Sequence, residues 1–304
     1  MHIFEYMFIL LSFIGKLPNY IVECVHQIRL YCNNDIYLII NDFESEYLIP
    51  LSRFNVIIVS YDNILDKDTK LLFDKYRNTF EYIPGLTGRE ELFMRSIERF
   101  YLAHNILNKY ELKDCLFLEI DNLIYDDPNK WLDLLQRKPL TLMQALPKHL
   151  GSNLCYIKDK HSLDTFLKYA NTYIESSLDF LCEMICFFHY KNTDNDDIQF
   201  LPILFGNHHI KEIYQDYELY DSIFDSLGHG TYLLGVDLYH KNNPGVTYDY
   251  YIQGKNYEYK WEADENGLKK PYIFDTIKNK WTLINNLHIH SKNLQAGLSK
   301  SIEC

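Results

Sequence analysis

Paired cysteines, phosphate-cradling glycine loops and nucleophile elbows are all missing from this chain of 304 residues. The seven cysteines, Cys24, Cys32, Cys115, Cys155, Cys182, Cys186 and Cys304, form no CxxC pair, which argues against a zinc ribbon or a dithiol redox motif. An odd, scattered set in a chain this long reads as reduced core thiols in a cytosol-like compartment. Cys182 and Cys186 stand i, i+4 on an expected helix, where two small buried residues on one face account for them better than a metal pair does. Neither Walker nor GxGxxG spacing occurs, so Gly228, Gly230 and Gly235 have the look of turn glycines. No GxSxG elbow is present, and no Cys/His pair stands out. Positive charge is also in deficit: 30 Lys and Arg against 42 Asp and Glu leave a formal net charge of −12, with a sequence pI near 5.4. Such a surface repels phosphate backbones and disfavours a nucleic-acid partner, although a nucleotide can bind where a few basic residues converge.

A membrane-length apolar run is absent too. Residues 7–14 (MFILLSFI) are too few to span a bilayer, no basic region precedes them, and Glu5 stands where a signal peptide carries positive charge. They read as the first buried strand, Phe8–Phe13. Hydrophobic residues make up 47% of the chain, enough for one large α/β domain or two small ones. A helix is expected over 18–31, with Pro18 at its start and Ile21, Val25 and Ile28 on its apolar side. Further strands are expected over Ile36–Ile40, 55–60 and 115–120, and the longest helix over 90–109, marked by Phe93, Ile97, Phe100, Tyr101 and Ile106. Continuous rather than alternating apolar strands imply a sheet covered on both faces. Strands alternating with helices imply βαβ units and a mostly parallel sheet. The second half is less regular: a short strand at 155–157, helices at 162–173 and 177–190, a polar loop at 191–197, and strand-like pieces at 261–264, 271–274 and 287–290. With no repeat, low-complexity linker or clean boundary, one domain over 1–304 is the simpler expectation.

Two short constellations carry chemistry. In LEIDNLIY (118–125), Glu119 and Asp121 flank one apolar residue where an apolar strand ends. Residues i and i+2 of extended backbone share a face, so both carboxylates can converge on one hard cation. Such a cation can bridge a diphosphate and neutralise a leaving group. A strand-end turn with solvated carboxylates fits the same triplet. In LHIHSK (287–292), His288 and His290 alternate with apolar residues, and Lys292 follows on the same face. Imidazole is a common metal ligand and Lys a compact charge suited to phosphate; an edge strand with its polar face in water fits as well. Together, oxygen from Glu119 and Asp121, nitrogen from His288 or His290 and a phosphate contact from Lys292 suit Mn²⁺ or Mg²⁺ with a nucleotide diphosphate. Ligands of α/β sheets gather at carboxyl ends of strands near the switch in strand order, and Glu119, Asp121 and Asn122 stand at such an end.

With these motifs the chain resembles GT-A glycosyltransferases, of a type found in bacteria and giant viruses. In these proteins a D-x-D-like motif ends a central strand and a late His completes the metal site. The resemblance implies an α/β, Rossmann-like single domain with a mostly parallel central sheet flanked by helices, its nucleotide-binding half over 1–125 and its acceptor-side half over 126–304. Here the motif is E-x-D, so Glu119 takes the position that commonly contacts ribose and Asp121 the metal position. HIHSK resembles the C-terminal His…Lys of glycogenin-like transferases, with a shorter spacing that leaves both His288 and His290 open. SFIGKLPNYI (12–21) is similar to the strand and loop that hold the nucleotide base, implicating Phe13 and Gly15. ERFYLAHNIL (98–107) is similar to the helix whose Arg reaches the diphosphate or base: Arg99, with Arg95 one turn earlier as its rival. GSNLCYIKD (151–159) resembles the strand of donor-sugar contacts, with Asn153 the candidate. GHGTYLLGVD (228–237) resembles a segment on the acceptor side, with Asp237 the candidate base of an inverting reaction.

The resemblance also implies transfer of a sugar from a UDP- or GDP-sugar, or a similar donor, to a hydroxyl of a glycan, protein or small molecule. Asp121, Lys292 and Asp237 are then the catalytic set, in a cytoplasmic protein without a membrane span, which for a viral member means the host cytoplasm. A nucleotidyltransferase making nucleotide sugars would share the fold and metal, but FIGKLP (13–18) has one Gly and one Lys where such enzymes carry a Gly-rich basic loop. Against a degenerate binding or virion protein stands the presence of Glu119, Asp121, both His and Lys292. Blander readings remain for Arg99 as the partner of a surface carboxylate, for His208 and His209 as solvated loop residues, and for Trp131, Trp261 and Trp281 as packing.

Overall fold

Phe8–Phe13 forms the expected first strand, and Ile9, Leu10 and Leu11 within it are fully buried. The computed structural model describes residues 7–81, 91–146, 148–176, 182–193, 196–204, 217–226, 228–236, 254–276 and 278–302. Its strands are β1 Phe8–Phe13, β2 Ile36–Ile40, β3 Val56–Ser60, β4 Cys115–Leu118, β5 Asn122–Ile124, β6 Leu140–Leu146, β7 His149–Ile157, β8 Ile198–Phe200, β9 Ser222–Ile223, β10 Tyr259–Ala263, β11 Lys269–Asp275, β12 Lys280–Ile284 and β13 Asn286–His288. The α-helices are α1 Ile21–Tyr31, α2 Leu48–Leu51, α3 Tyr61–Ile64, α4 Lys67–Glu81, α5 Leu92–Lys109, α6 Leu132–Leu135, α7 Lys160–Ser176, α8 Glu183–Lys191, α9 Tyr217–Tyr220 and α10 His229–Leu234.

Seven strands make the central sheet in the order β3-β2-β1-β4-β7-β6-β8. β3, β2, β1, β4, β6 and β8 run one way and β7 runs against them. The mostly parallel α/β sheet flanked by helices is thus as the sequence implied. Strand order reverses between β1 and β4, so a crevice opens outside their carboxyl ends. Along β1 the side chains alternate between two cores: Ile9 and Leu11 pack with Ile21, Val25 and Ile28 of α1, whereas Phe8 and Leu10 pack with Ile97 and Phe100 of α5. Burial on both faces is why residues 8–11 of the strand are apolar without a break. Truncating one such Leu to Ala costs about 2–5 kcal/mol.

Several boundaries differ from expectation. Pro18 lies ahead of α1, in a turn where its carbonyl accepts from Ile21 N, rather than in the first helical turn. β7 begins at His149, well before the short strand expected at 155–157, because it pairs with both β4 and β6. The strand-like pieces at 261–264 and 271–274 are β10 and β11 of a second, four-stranded sheet ordered β10-β11-β12-β9. A two-stranded ribbon, β5 with β13, joins the ends of the two site motifs. Among the described residues, no helix is long and apolar enough to cross a membrane. Cys24, Cys32, Cys115, Cys155, Cys182 and Cys186 are free and buried; Cys304 lies outside the described residues.

Candidate functional site

β4 stops at Leu118, short of the strand expected through residue 120. Beyond it Asn122 N donates to Glu119 O at 3.0 Å, closing a turn, while Glu119 N donates to Asn153 O on β7 at 2.9 Å. The two carboxylates therefore converge through a turn and not through the i, i+2 alternation of a strand. The chain then enters β5, where Asn122 pairs with His288 of β13. One step further Ile289 N donates to Asp121 O at 2.8 Å.

The late motif also departs from extended geometry. β13 ends at His288. Lys292 N donates to Ile289 O at 3.1 Å, and Lys292 sits at φ +61°, the left-handed region that non-glycine residues seldom adopt. His288, His290 and Lys292 therefore do not share one strand face. The turn instead swings the Lys292 ammonium back onto Asp121 Oδ2.

Nε2 of His288 lies 3.1 Å from Glu119 Oε2 and 3.4 Å from Asp121 Oδ1. Among the described residues Glu119, Asp121 and His288 form a cluster fit for a cation, their donor atoms all within 4.8 Å of one another. His290 is not in it; its ring stands 4.6 Å from that of His288. Arg99 meets Glu119 Oε1, donates to Ser152 Oγ at 2.8 Å and lies 3.2 Å from Glu183 Oε1. Its partner is thus the motif's own carboxylate rather than one on the surface. Arg95 points elsewhere: it donates to Tyr61 OH at 3.1 Å and pairs with Glu98 at 2.5 Å and Glu91 at 2.8 Å.

The electrostatics follow from this crowding. Burial disfavours the Glu119 carboxylate, yet Arg99 and His288 outweigh it and hold its pKa at about 2. Asp121 is likewise held well below the usual carboxylate range: Lys292 and His288 overcome its burial. Burial works against the His288 imidazolium, but Asp121 and Glu119 raise its pKa to about 10. The site therefore gathers cations around two fixed negative charges. His288 Nδ1, Asn153 Oδ1 and Arg99 Nε are among the buried side-chain atoms left without a hydrogen-bond partner in the described residues. Two carboxylates and one imidazole are a donor set that suits a borderline or hard divalent ion, so the residues present fit the metal that the motifs imply.

Phe13 ends β1, next to β4 in the sheet, on the same carboxyl edge as Glu119. Gly15 follows at φ +123°, a conformation that a side chain strains, and its N–H donates to Asn41 Oδ1 at 2.8 Å. Gly15, Lys16, Leu17, Asn41, Asp42, Glu44, Ser45, Glu46 and Tyr47 line an open groove of about 580 Å³ at the ends of β1 and β2. Asn153 is buried beside the turn, its carbonyl taking Glu119 N and its side-chain amide donating to Asp225 O at 3.1 Å. Asp237, His208 and His209 lie outside the described residues. Trp131 is buried, and Trp261 packs edge-on to Tyr125 at 5.7 Å.

Sequence reasoning did not single out Asp225, Glu183, Ser152 or Asn286. For Asp225 no local signal existed: Gly228 is the N-cap of α10, and Asp225 reaches the first-turn amides from three residues upstream. Glu183 and Ser152 carry no local signal, because only the tertiary fold brings them to Arg99.

No protein-family model matches the chain, and no curated protein matches it. Among solved structures, mouse xyloside xylosyltransferase 1 in its apo form is similar over 64% of this chain and 85% of that one, with a TM-score of 0.48 and 10% identity. The glycosyltransferase GlyE of Streptococcus pneumoniae TIGR4 is similar over 81% of this chain but 50% of its own, with a TM-score of 0.45 and 10% identity, so the chain spans half of that protein. A cytidylyltransferase from Leptospira borgpetersenii serovar Hardjo-bovis is similar over 65% of this chain and 76% of that one, with a TM-score of 0.38 and 11% identity. At these scores each is a loose likeness of overall shape.

Proposed function

We propose that the chain is a metal-dependent glycosyltransferase of the GT-A type, moving a sugar from a nucleotide-diphosphate donor such as a UDP- or GDP-sugar to a hydroxyl of a glycan, protein or small molecule. The observation that carries this reading is the convergence of Glu119, Asp121 and His288, with Lys292 against Asp121, at the carboxyl end of β4 beside the switch in strand order.

In the reaction the acceptor oxygen bonds to the anomeric carbon and gives up its proton, to Asp237 as base if the reaction inverts or to the departing diphosphate if it retains. The carbon's bond to the diphosphate oxygen meanwhile breaks, and that electron pair departs with the diphosphate. Glu119, Asp121 and His288 hold a divalent ion, and the mixed oxygen and nitrogen set favours Mn²⁺ over Mg²⁺. Such an ion, when bound, neutralises charge developing on the leaving group. Lys292 adds a second positive charge for that diphosphate, a fixed electrostatic contribution to the transition state. Arg99, engaged by Glu119, Ser152 and Glu183, suits orienting Glu119 better than touching phosphate. The unpartnered Asn153 Oδ1 suits a donor-sugar hydroxyl. The groove beside Gly15, about 580 Å³, has room for a nucleoside. We read 1–304 as one transferase unit, nucleotide-binding over 1–125 and acceptor-side over 126–304, and its free, buried thiols suit a reducing, cytoplasmic setting.

The acidic groove argues against the nucleotidyltransferase alternative: Asp42, Glu44 and Glu46 outnumber Lys16 where a triphosphate would approach. A thermal-shift screen of nucleotide sugars with and without Mn²⁺ is the test. Saturation at 100 times Kd adds about 2.7 kcal/mol to apparent stability, so a Mn²⁺-dependent rise for one nucleotide sugar is expected. A rise with nucleoside triphosphate and sugar phosphate instead would favour the alternative, and no rise with either would leave a non-catalytic binding protein.

A further inference from the structure

Asp225 follows β9 and is 1% exposed. Its Oδ1 accepts from Gly228 N at 2.8 Å and His229 N at 2.9 Å. Its Oδ2 accepts from Gly230 N at 2.7 Å and from His288 N at 3.1 Å. One carboxylate thus ties the first turn of α10 to the backbone of His288. The main chain of Asp225 is tied in as well: its N–H donates to Asn286 Oδ1 at 3.0 Å, and its carbonyl accepts from Asn286 and Asn153 side-chain amides at 3.1 Å each. Asn286 in turn donates to Asn122 Oδ1 at 3.0 Å.

Gly230 makes the approach possible. A Cβ there would stand 2.2 Å from His288 O and 2.8 Å from His288 C, so any side chain collides with backbone that has little freedom to yield. His288 is held on its N–H side by Asp225 and faced on its carbonyl side by Gly230.

We propose that Asp225, seated through Gly230, is the positioning residue that fixes His288 for cation binding; this rests on the proposed reading of Glu119, Asp121 and His288 as the cation's ligands. The need is physical. His288 ends a strand of three residues, and a two-stranded ribbon alone is marginally stable. Hydrogen bonds to an ionised carboxylate are shorter and stronger than neutral ones. Only a carboxylate offers two oxygens that serve four backbone donors at once; an amide has one acceptor oxygen, and so does a hydroxyl.

The test compares Asp225→Asn and Gly230→Ala with the full-length wild type, and with Asp66→Ala as a variant destabilised away from the site. Two quantities are read: the Mn²⁺ dissociation constant, from the paramagnetic resonance of free Mn²⁺, and hydrogen exchange at the His288 amide. Loss of a group that orients a metal ligand typically costs about 10–100-fold in affinity. That weakening, with faster exchange at His288, is expected in both Asp225→Asn and Gly230→Ala but not in Asp66→Ala. If either site variant fails to fold, the other is read alone. Mn²⁺ affinity within about two-fold of wild type in a folded site variant would overturn the proposal and leave Asp225 as a cap of α10. A wild type that binds no Mn²⁺ would sink the metal reading itself, and unchanged His288 exchange in Asp225→Asn would then sink the positioning role too.

Discussion

Ile289 N donates to Asp121 O at 2.8 Å, one step beyond the pairing of Asn122 with His288. The two motifs far apart in sequence are therefore bonded through their backbones, and the spacing of carboxylate and imidazole is set by main chain rather than by side-chain reach. Backbone pairing of this kind survives conservative changes to the side chains it presents.

Asp121→Asn tests the charge at this junction. The substitution keeps shape and the Ile289 bond but removes the charge that Lys292 and His288 meet. The variant should fold, lose the Mn²⁺-induced rise in Tm and lose turnover on the order of 10²–10³-fold, the scale on which a single electrostatic contributor acts. Glu119→Gln should be milder in turnover. Circular dichroism, thermal shift and a transferase assay check this together; near-normal Mn²⁺-dependent activity in Asp121→Asn would remove Asp121 from the metal set.

Part of this arrangement was legible in sequence and part was not. β1 and β2 have the bounds expected: β2 is an unbroken apolar run that ends abruptly at Asn41, and β1 opens on the apolar run of residues 8–11. The two motifs were visible as short repeats of polar residues with one apolar residue between them. Their geometry was not, since periodicity describes strands, whereas Glu119 and Asp121 lie in a turn and the chain after His288 leaves β13 through a turn closed by Lys292 at φ +61°. Arg95 and Arg99 are one helical turn apart and nearly equivalent in pattern. Only packing separates them: the Arg99 guanidinium stacks 5.2 Å from the Phe117 ring on β4, whereas Arg95 faces Tyr61 after β3. The reach of Asp225 to His288 is a contact between distant segments, which no local signal encodes.

Arg99 should matter to stability as well as to the site. Its guanidinium is nearly buried between Glu119, Ser152 and Glu183. Arg99→Met leaves two carboxylates in that space without their cation, and breaking a buried pair this way costs about 3–5 kcal/mol. Arg99→Lys should recover little, because an ammonium lacks the planar fork that reaches three partners. Urea unfolding at neutral pH measures the loss; a change under about 1 kcal/mol in Arg99→Met would mean that water replaces the guanidinium without penalty.

Asp66, just ahead of α4, gives a pH dependence away from the site. Burial would raise its pKa, but the Thr69 hydroxyl and N–H and the Asn105 amide outweigh it and hold the carboxyl below its ordinary value. A depressed carboxyl contributes stability above its unfolded pKa, about 3.9, and that contribution disappears as pH falls through the folded value. Asp66→Ala should therefore cost about 1 kcal/mol at neutral pH, the usual scale for a helix cap. The gap to wild type should narrow below about pH 4. Urea midpoints of the two proteins across pH 3–7 check it (a range set about the carboxylate pKa), and a gap that stays constant with pH would show that the charged form is not what stabilises.

Lys292 separates the phosphate role from the metal role. Its ammonium contacts Asp121, yet the side chain is 36% exposed, so part of it stays open to a ligand. A charge-assisted hydrogen bond contributes about 1.5–3 kcal/mol, so Lys292→Ala should weaken UDP or GDP binding by at least about ten-fold. The same charge acts in ground and transition states, so transfer should slow as well as KM rise. Mn²⁺ affinity should move the other way or not at all, because Asp121 loses a competing cation and keeps its carboxylate. The opposite pattern is expected for Asp121→Asn, in which Mn²⁺ binding fails first. Calorimetric titration of each variant with Mn²⁺, and then with nucleotide in saturating Mn²⁺, reads the two effects separately. Should Lys292→Ala bind nucleotide as tightly as wild type, the ammonium serves only to neutralise Asp121, and the diphosphate must find its positive charge elsewhere.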